Sequence, residues 1–192
     1  MLRAFLKTLL SFSLFFFVKK KREKESNKEK ERKVGFLEVA LNLKHGGMDM
    51  SKVAVVYWSG TGNTEAMAKA IAEGVKGAGA EETLFEVSDF SADKIADYDG
   101  VIFGCPAMGA EELEEDAFEP MWKEAEGKIN GVKIALFGSY GWGGGEWMKT
   151  WEERAKTAGA KLFGDGLIIE NTPDDNGLAD CKKFGEDFAK SI

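Results

Sequence analysis

The chain has 192 residues, enough for one ordinary α/β core and too few for two once its first fifty residues are set aside. Residues 1–49 carry a net charge of +6 and the remainder −13, which argues against nucleic acid as a partner of the acidic portion and favours basic protein faces. The two cysteines, Cys105 and Cys181, lack metal or redox spacing and the single histidine, His45, precedes the acidic portion, so a metal site built from Cys and His is excluded and a reducing, cytoplasmic setting is expected.

Residues 1–50 read as an atypical extension. Arg3 and Lys7 precede an uncharged, largely apolar run over 8–18, which has the length of a signal h-region and falls short of the ~17 residues needed to span a bilayer. No small-residue cleavage site follows; residues 19–33 are a Lys/Glu run almost free of apolar side chains, expected to be disordered or a fraying helix. Three readings compete: a membrane anchor with basic juxtamembrane charges, an uncleaved export signal, and an upstream region translated from a misplaced start. The last is favoured, because codons for Gly46-Gly47 can contain a purine-rich ribosome-binding sequence just ahead of Met48 and Met50. Membrane association is expected only if this segment is real.

Residues 51–192 read as one domain. Residues 53–58 form a continuous apolar run of strand length, followed by Ser-Gly-Thr-Gly and by helical spacing over 63–78. Further strands are predicted at 83–87, 100–105, 132–138 and 166–170, and helices near 111–126, 145–158 and 178–191. Apolar runs without polar alternation mark strands buried on both faces, so the expected fold is α/β, a three-layer doubly wound parallel sheet of five strands. Within the third strand, Cys105 closes the run Val101-Ile102-Phe103-Gly104 and reads as a small buried hydrophobe.

In such a sheet ligands bind beyond the carboxyl ends of the strands, where the loops at 59–64, 106–111 and 139–145 converge. The first, Ser59-Gly60-Thr61-Gly62-Asn63-Thr64, offers three hydroxyls and backbone N–H groups at a helix N-terminus, where the dipole and unpaired donors favour an anion. It has no Lys or Arg, unlike a Walker-type loop, and suits a single terminal phosphate held by neutral donors. The third, Ser139-Tyr140-Gly141-Trp142-Gly143-Gly144-Gly145, sets two aromatics beside glycines after a buried strand, an arrangement that a planar ligand ring stacked on Trp142 would explain. The second, Pro106-Ala107-Met108-Gly109-Ala110-Glu111, brings a thioether to the opposite ring face and a glycine able to take positive φ. Five carboxylates then crowd what reads as a helix start at Glu111-Glu112-Leu113-Glu114-Glu115-Asp116.

The stretches Val55-Val56-Tyr57-Trp58-Ser59-Gly60-Thr61-Gly62-Asn63-Thr64-Glu65, Gly104-Cys105-Pro106-Ala107-Met108-Gly109 and Phe137-Gly138-Ser139-Tyr140-Gly141-Trp142-Gly143 together resemble the short-chain, clostridial-type flavodoxins of anaerobic bacteria. The resemblance runs from Val53 to the C-terminus. It implies strand order 2-1-3-4-5 and non-covalently bound FMN, with phosphate on Ser59, Thr61, Gly62, Asn63 and Thr64 around Gly60. It also implies the isoalloxazine between Met108 and Trp142, and Glu111 toward the ring N3–H. Ala107, Ser139, Tyr140, Gly141 and Gly143 would complete the pocket, with Asn171 at its border.

The implied role is a low-potential electron carrier cycling between semiquinone and hydroquinone, not an enzyme. It would be a monomer serving redox proteins with basic docking faces, such as ferredoxin-linked oxidoreductases. Redox tuning would fall to Gly109, Ala110 and Glu111: the Gly109 carbonyl turns to accept the new N5–H, worth roughly 20 to 65 mV on the first potential. The neighbouring carboxylates and apolar burial lower the second. Ala110 stands where some members of the family carry Asp or Asn. The rival readings are an NAD(P)H-dependent flavin or quinone reductase of the same fold, which Trp142 argues against by covering the ring, and a flavin-free interaction module.

Intact-mass analysis of the natively expressed protein checks the reading of the extension. A product starting at Met48 or Met50 is expected; a mass matching all 192 residues contradicts it.

Overall fold

The computed structural model describes residues 50–192, and the readings made above for residues 1–49 lie outside the described residues. Strand β1 (Lys52–Tyr57) leads into helix α1 (Asn63–Gly77), followed by β2 (Glu81–Glu86) and β3 (Gly100–Gly104). Helix α2 (Phe118–Glu126), β4 (Lys133–Tyr140), α3 (Glu146–Thr157), β5 (Lys161–Leu162), β6 (Leu167–Glu170) and α4 (Asp175–Ala189) complete the domain. All pairings are parallel. The order is β2-β1-β3-β4-β5, with β6 also on β4, so β5 and β6 are two pieces of the fifth strand.

Strand residues alternate between two cores, as pleating requires. Val53, Val55, Ile102, Ala135 and Phe137 face α1 and α4, whose Met67, Ile71 and Phe188 fill that side. Ala54, Val56, Val101, Phe103, Ile134 and Leu136 face α2 and α3. On this second side the aromatic rings interlock edge to face, with Phe103 and Trp122 at 5.3 Å, Trp122 and Trp151 at 5.3 Å, and Phe118 and Trp151 at 5.4 Å between centroids. Such pairs add about 0.5–1.5 kcal/mol each beyond area burial. Three layers follow, as expected.

Between β2 and β3 the chain makes two 3-10 turns, Val87–Asp89 and Ala92–Asp97, and buries Phe90 and Ile95 against the second core. The structure corrects the sequence reading at one place. The helix expected near 111–126 begins only at Phe118. Residues 108–112 instead form a hairpin in which Met108 N–H donates to the Glu112 carbonyl (2.9 Å) and Glu112 N–H to the Met108 carbonyl (3.0 Å). Glu111 takes φ +61°, which a helix forbids.

Helices α1 and α4 touch backbone to backbone. A Cβ on Gly74 would lie 1.9 Å from the Lys182 carbonyl oxygen, and one on Gly185 would lie 2.1 Å from that of Ile71. Gly185→Ala is therefore expected to destabilise the fold by about 1–3 kcal/mol in denaturant unfolding. Gly77→Ala, at a position with open space around it, is expected to be neutral or stabilising by up to about 1 kcal/mol. Equal effects at the two positions would contradict the close crossing.

Candidate functional site

The loops leaving β1, β3 and β4 meet at one end of the sheet because parallel strands present all their carboxyl ends there. The chain turns from β1 into α1 at Gly62, which has φ +89° and caps the helix with no side chain. The first helical N–H groups therefore have no partner within the helix and point out of its positive end. Ser59 Oγ accepts from Gly62 N–H (3.1 Å) and closes the turn. The Trp58 indole lies over Gly60, where a Cβ would stand 2.8 Å from its Cη2.

Behind this loop, Thr64 and Ser139 are buried and their hydroxyls share a hydrogen bond of 2.9 Å. The Ser139 carbonyl accepts from Ala107 N–H (2.9 Å), and the Phe137 carbonyl accepts from Cys105 N–H (3.0 Å). Ser139 thus touches the first loop through its side chain and the second through its backbone, and itself opens the third.

The second loop carries Met108 into the hairpin already described, with Gly109 at φ +42°. Glu111 bends away from its tip: Oε2 accepts from Trp147 N–H (3.0 Å) at the start of α3, while Oε1 is buried without a partner among the described residues. The third loop crosses over this carboxylate at Gly143 (φ +91°), where a Cβ would stand 1.5 Å from Glu111 Oε1, so only glycine fits. Trp142 is 66% exposed. Asn171, at φ +60°, donates its N–H to the Tyr140 carbonyl (2.6 Å) and holds the rim on the β6 side.

A cleft of about 300 Å³ opens between the loops. Of the residues singled out from the sequence, Gly60, Thr61 and Asn63 line it from the first loop, Ala107 and Met108 from the second, Ser139, Tyr140 and Gly141 from the third, with Asn171 beside them. Ser59, Gly62 and Thr64 shape the first loop without lining the cleft. Gly109, Ala110, Glu111, Trp142 and Gly143 do not line it, and Glu111 instead lines a second cavity with Trp147 and Arg154. Trp58 and Pro106 also line it and were not singled out. Both were legible as the residues that end an apolar strand at its carboxyl end.

The donor set suits a monophosphate bearing a planar ring. No Lys or Arg lines the cleft; backbone N–H groups and hydroxyls stand at the helix end, and the apolar surfaces of Met108 and Trp142 lie in water. The unpartnered Glu111 Oε1 is an acceptor awaiting a donor. Both thiols are fully buried: burial pushes Cys105 far above its ordinary value, and burial followed by Asp180 pushes Cys181 up to about 12, which disfavours the thiolate at each. Among the described residues no cluster of His, Cys, Asp or Glu is arranged to hold a metal ion.

The sequence profile of the flavodoxin family matches residues 55–185. The chain belongs to the flavodoxin family. It is 47% identical over 139 residues to the flavodoxin of Megasphaera elsdenii, a match covering 72% of this chain and 99% of that one. It is 48% identical over 135 residues to the flavodoxin of Clostridium beijerinckii, covering 70% and 97%. The solution structure of the two-electron reduced Megasphaera elsdenii flavodoxin superposes with a TM-score of 0.67, covering 72% of this chain and 98% of that one at 47% identity. The flavodoxin match begins at Val55, inside β1, and so takes in all three loops of the cleft.

Proposed function

We propose that the cleft binds FMN non-covalently, phosphate at the N-terminus of α1 and ring between the Met108 turn and Trp142. As a member of the flavodoxin family the chain is an electron carrier rather than an enzyme. The observation that best supports the proposed site is the meeting, in one cleft without Lys or Arg, of the loop that opens α1 with the exposed Met108, while Trp142 stands exposed on the third loop. When bound, FMN supplies two successive one-electron steps.

The chain's own residues divide the work. Thr61, Asn63 and the N–H groups opening α1 hold the phosphate with neutral donors, which keeps cations away from the ring. Trp142 and Met108 exclude water and disfavour added negative charge. Glu111, anchored to Trp147 N–H through Oε2, keeps Oε1 for a ring N–H donor. The Met108 and Glu112 backbones are locked to each other, so rotation is confined to the peptides between them. Gly109 is exposed with nothing within 4 Å of where a Cβ would sit, and its carbonyl would accept a hydrogen bond from a ring N–H by rotation of the Gly109–Ala110 peptide.

Partners are redox proteins. Glu112, Glu115 and Asp116 are exposed beside the cleft in a domain of charge −13, which supports basic docking faces such as those of ferredoxin-linked oxidoreductases. A monomer in the cytoplasm fits this role. No helix among the described residues is long and apolar enough to cross a membrane.

Reconstitution with FMN followed by a redox titration tests the reading. Stoichiometric uptake and two separated midpoint potentials are expected. Gly109→Ala, by restricting rotation at φ > 0, should lower the first potential by on the order of 40 mV. A chain that takes up no FMN contradicts the site, and unchanged potentials in the variant contradict the hinge.

A further inference from the structure

We propose that Glu114 is a positioning residue for the cofactor turn, its buried carboxylate anchoring the exit of the Met108–Glu112 hairpin and so setting where the Gly109–Ala110 peptide stands. The inference rests on the reading of the cleft as an FMN site.

Glu114 is 6% exposed, although it sits in a run of carboxylates of which Glu112, Glu115 and Asp116 are exposed. Its Oε1 accepts from Asp116 N–H (3.0 Å) and its Oε2 from Ala117 N–H (2.9 Å) and Phe118 N–H (2.8 Å). These are the N–H groups that open α2, where Ala117 has no capping side chain of its own. The carboxylate does the work of that missing cap, and its charge meets the positive end of the helix. The Glu114 carbonyl accepts from Glu119 N–H (2.8 Å), and its own N–H donates to Cys105 Sγ (3.4 Å).

That last bond matters for the turn. The loop enters at Cys105 and Ala107, held by the carbonyls of Phe137 and Ser139 on β4. Its tip, Gly109 and Ala110, is exposed and carries no side chain able to hold it. Past the Met108–Glu112 pair, the chain is next fixed at buried Leu113 and at Glu114, where it returns to Cys105 and closes on its own entrance. Glu111 ties the turn to α3 and Glu114 ties it to α2. The two carboxylates, three residues apart, fix the hairpin from both helices of the second core.

Glu114→Gln keeps size and removes one acceptor, since an amide must point its NH2 at one of the three donors. In redox titration of the FMN-loaded full chain, the ratio of affinities for oxidised and one-electron-reduced cofactor is expected to change about three- to tenfold, a shift of ~30 to 60 mV in the first potential. The comparator Glu119→Gln weakens the pairing of the same helix with Arg154 outside the turn, while Glu126 keeps its own bond to Arg154. It should lower stability and leave both potentials in place. A Glu114→Gln shift no larger than that of Glu119→Gln overturns the proposal.

If Glu114→Gln does not fold, amide exchange on the wild-type chain decides. The N–H groups of Met108 and Glu112 are expected to open together with those of Ala117 and Phe118. Turn amides that exchange freely while Ala117 and Phe118 stay protected overturn the anchor. Run without FMN, the exchange experiment tests the anchor even if the chain fails to bind the cofactor, a failure that would count against the site alone.

Discussion

The site depends on one buried contact, the 2.9 Å hydrogen bond between the hydroxyls of Thr64 and Ser139. Thr64 belongs to the first turn of α1, and its position sets where that helix presents its free N–H groups. Ser139 belongs to β4, and its carbonyl holds Ala107 N–H while its own chain runs on into the aromatic loop. The loops leaving β1, β3 and β4, far apart in sequence, are thereby kept in one register. With both hydroxyls buried, neither has water to turn to, and losing one leaves the other unpartnered at a cost of about 1–3 kcal/mol.

Glycines let the strands come close enough for this contact. A Cβ on Gly138 would stand 2.1 Å from the Cys105 carbonyl oxygen, and one on Gly104 would stand 2.1 Å from the Phe137 ring. At the carboxyl ends of β3 and β4 the Phe137 ring thus packs over Gly104, and the Cys105 carbonyl sits against Gly138, so the loops the two strands launch start side by side. Below them, the interlocked rings of Phe103, Phe118, Trp122 and Trp151 brace α2 and α3. Arg154, paired with Glu119 and Glu126, clamps the same two helices at the surface. This braced scaffold carries the exposed Gly109–Ala110 turn.

Much of this was legible in the sequence. The strands declared themselves because burial on both faces leaves unbroken apolar runs, as at Val53-Ala54-Val55-Val56, and such runs need no tertiary knowledge to read. The three loops were legible through residue types that serve no core. What was hidden depends on conformation rather than composition. Residues 111–117 have helical charge and spacing, yet Glu111 at positive φ and the Glu114 carboxylate folded onto Phe118 N–H make them a hairpin exit. Trp58 read as the end of a strand, and only its indole lying over Gly60 shows that it lines the cleft.

The linkage through Ser139 is tested most directly by titrating the wild-type chain and Ser139→Ala with both FMN and riboflavin, which lacks the phosphate. If the contact holds all three loops in register, both ligands should lose affinity, by about five- to tenfold or more given the cost of the orphaned Thr64 hydroxyl. Loss confined to FMN, with riboflavin bound as before, would show that Ser139 acts on the phosphate alone and would contradict the account.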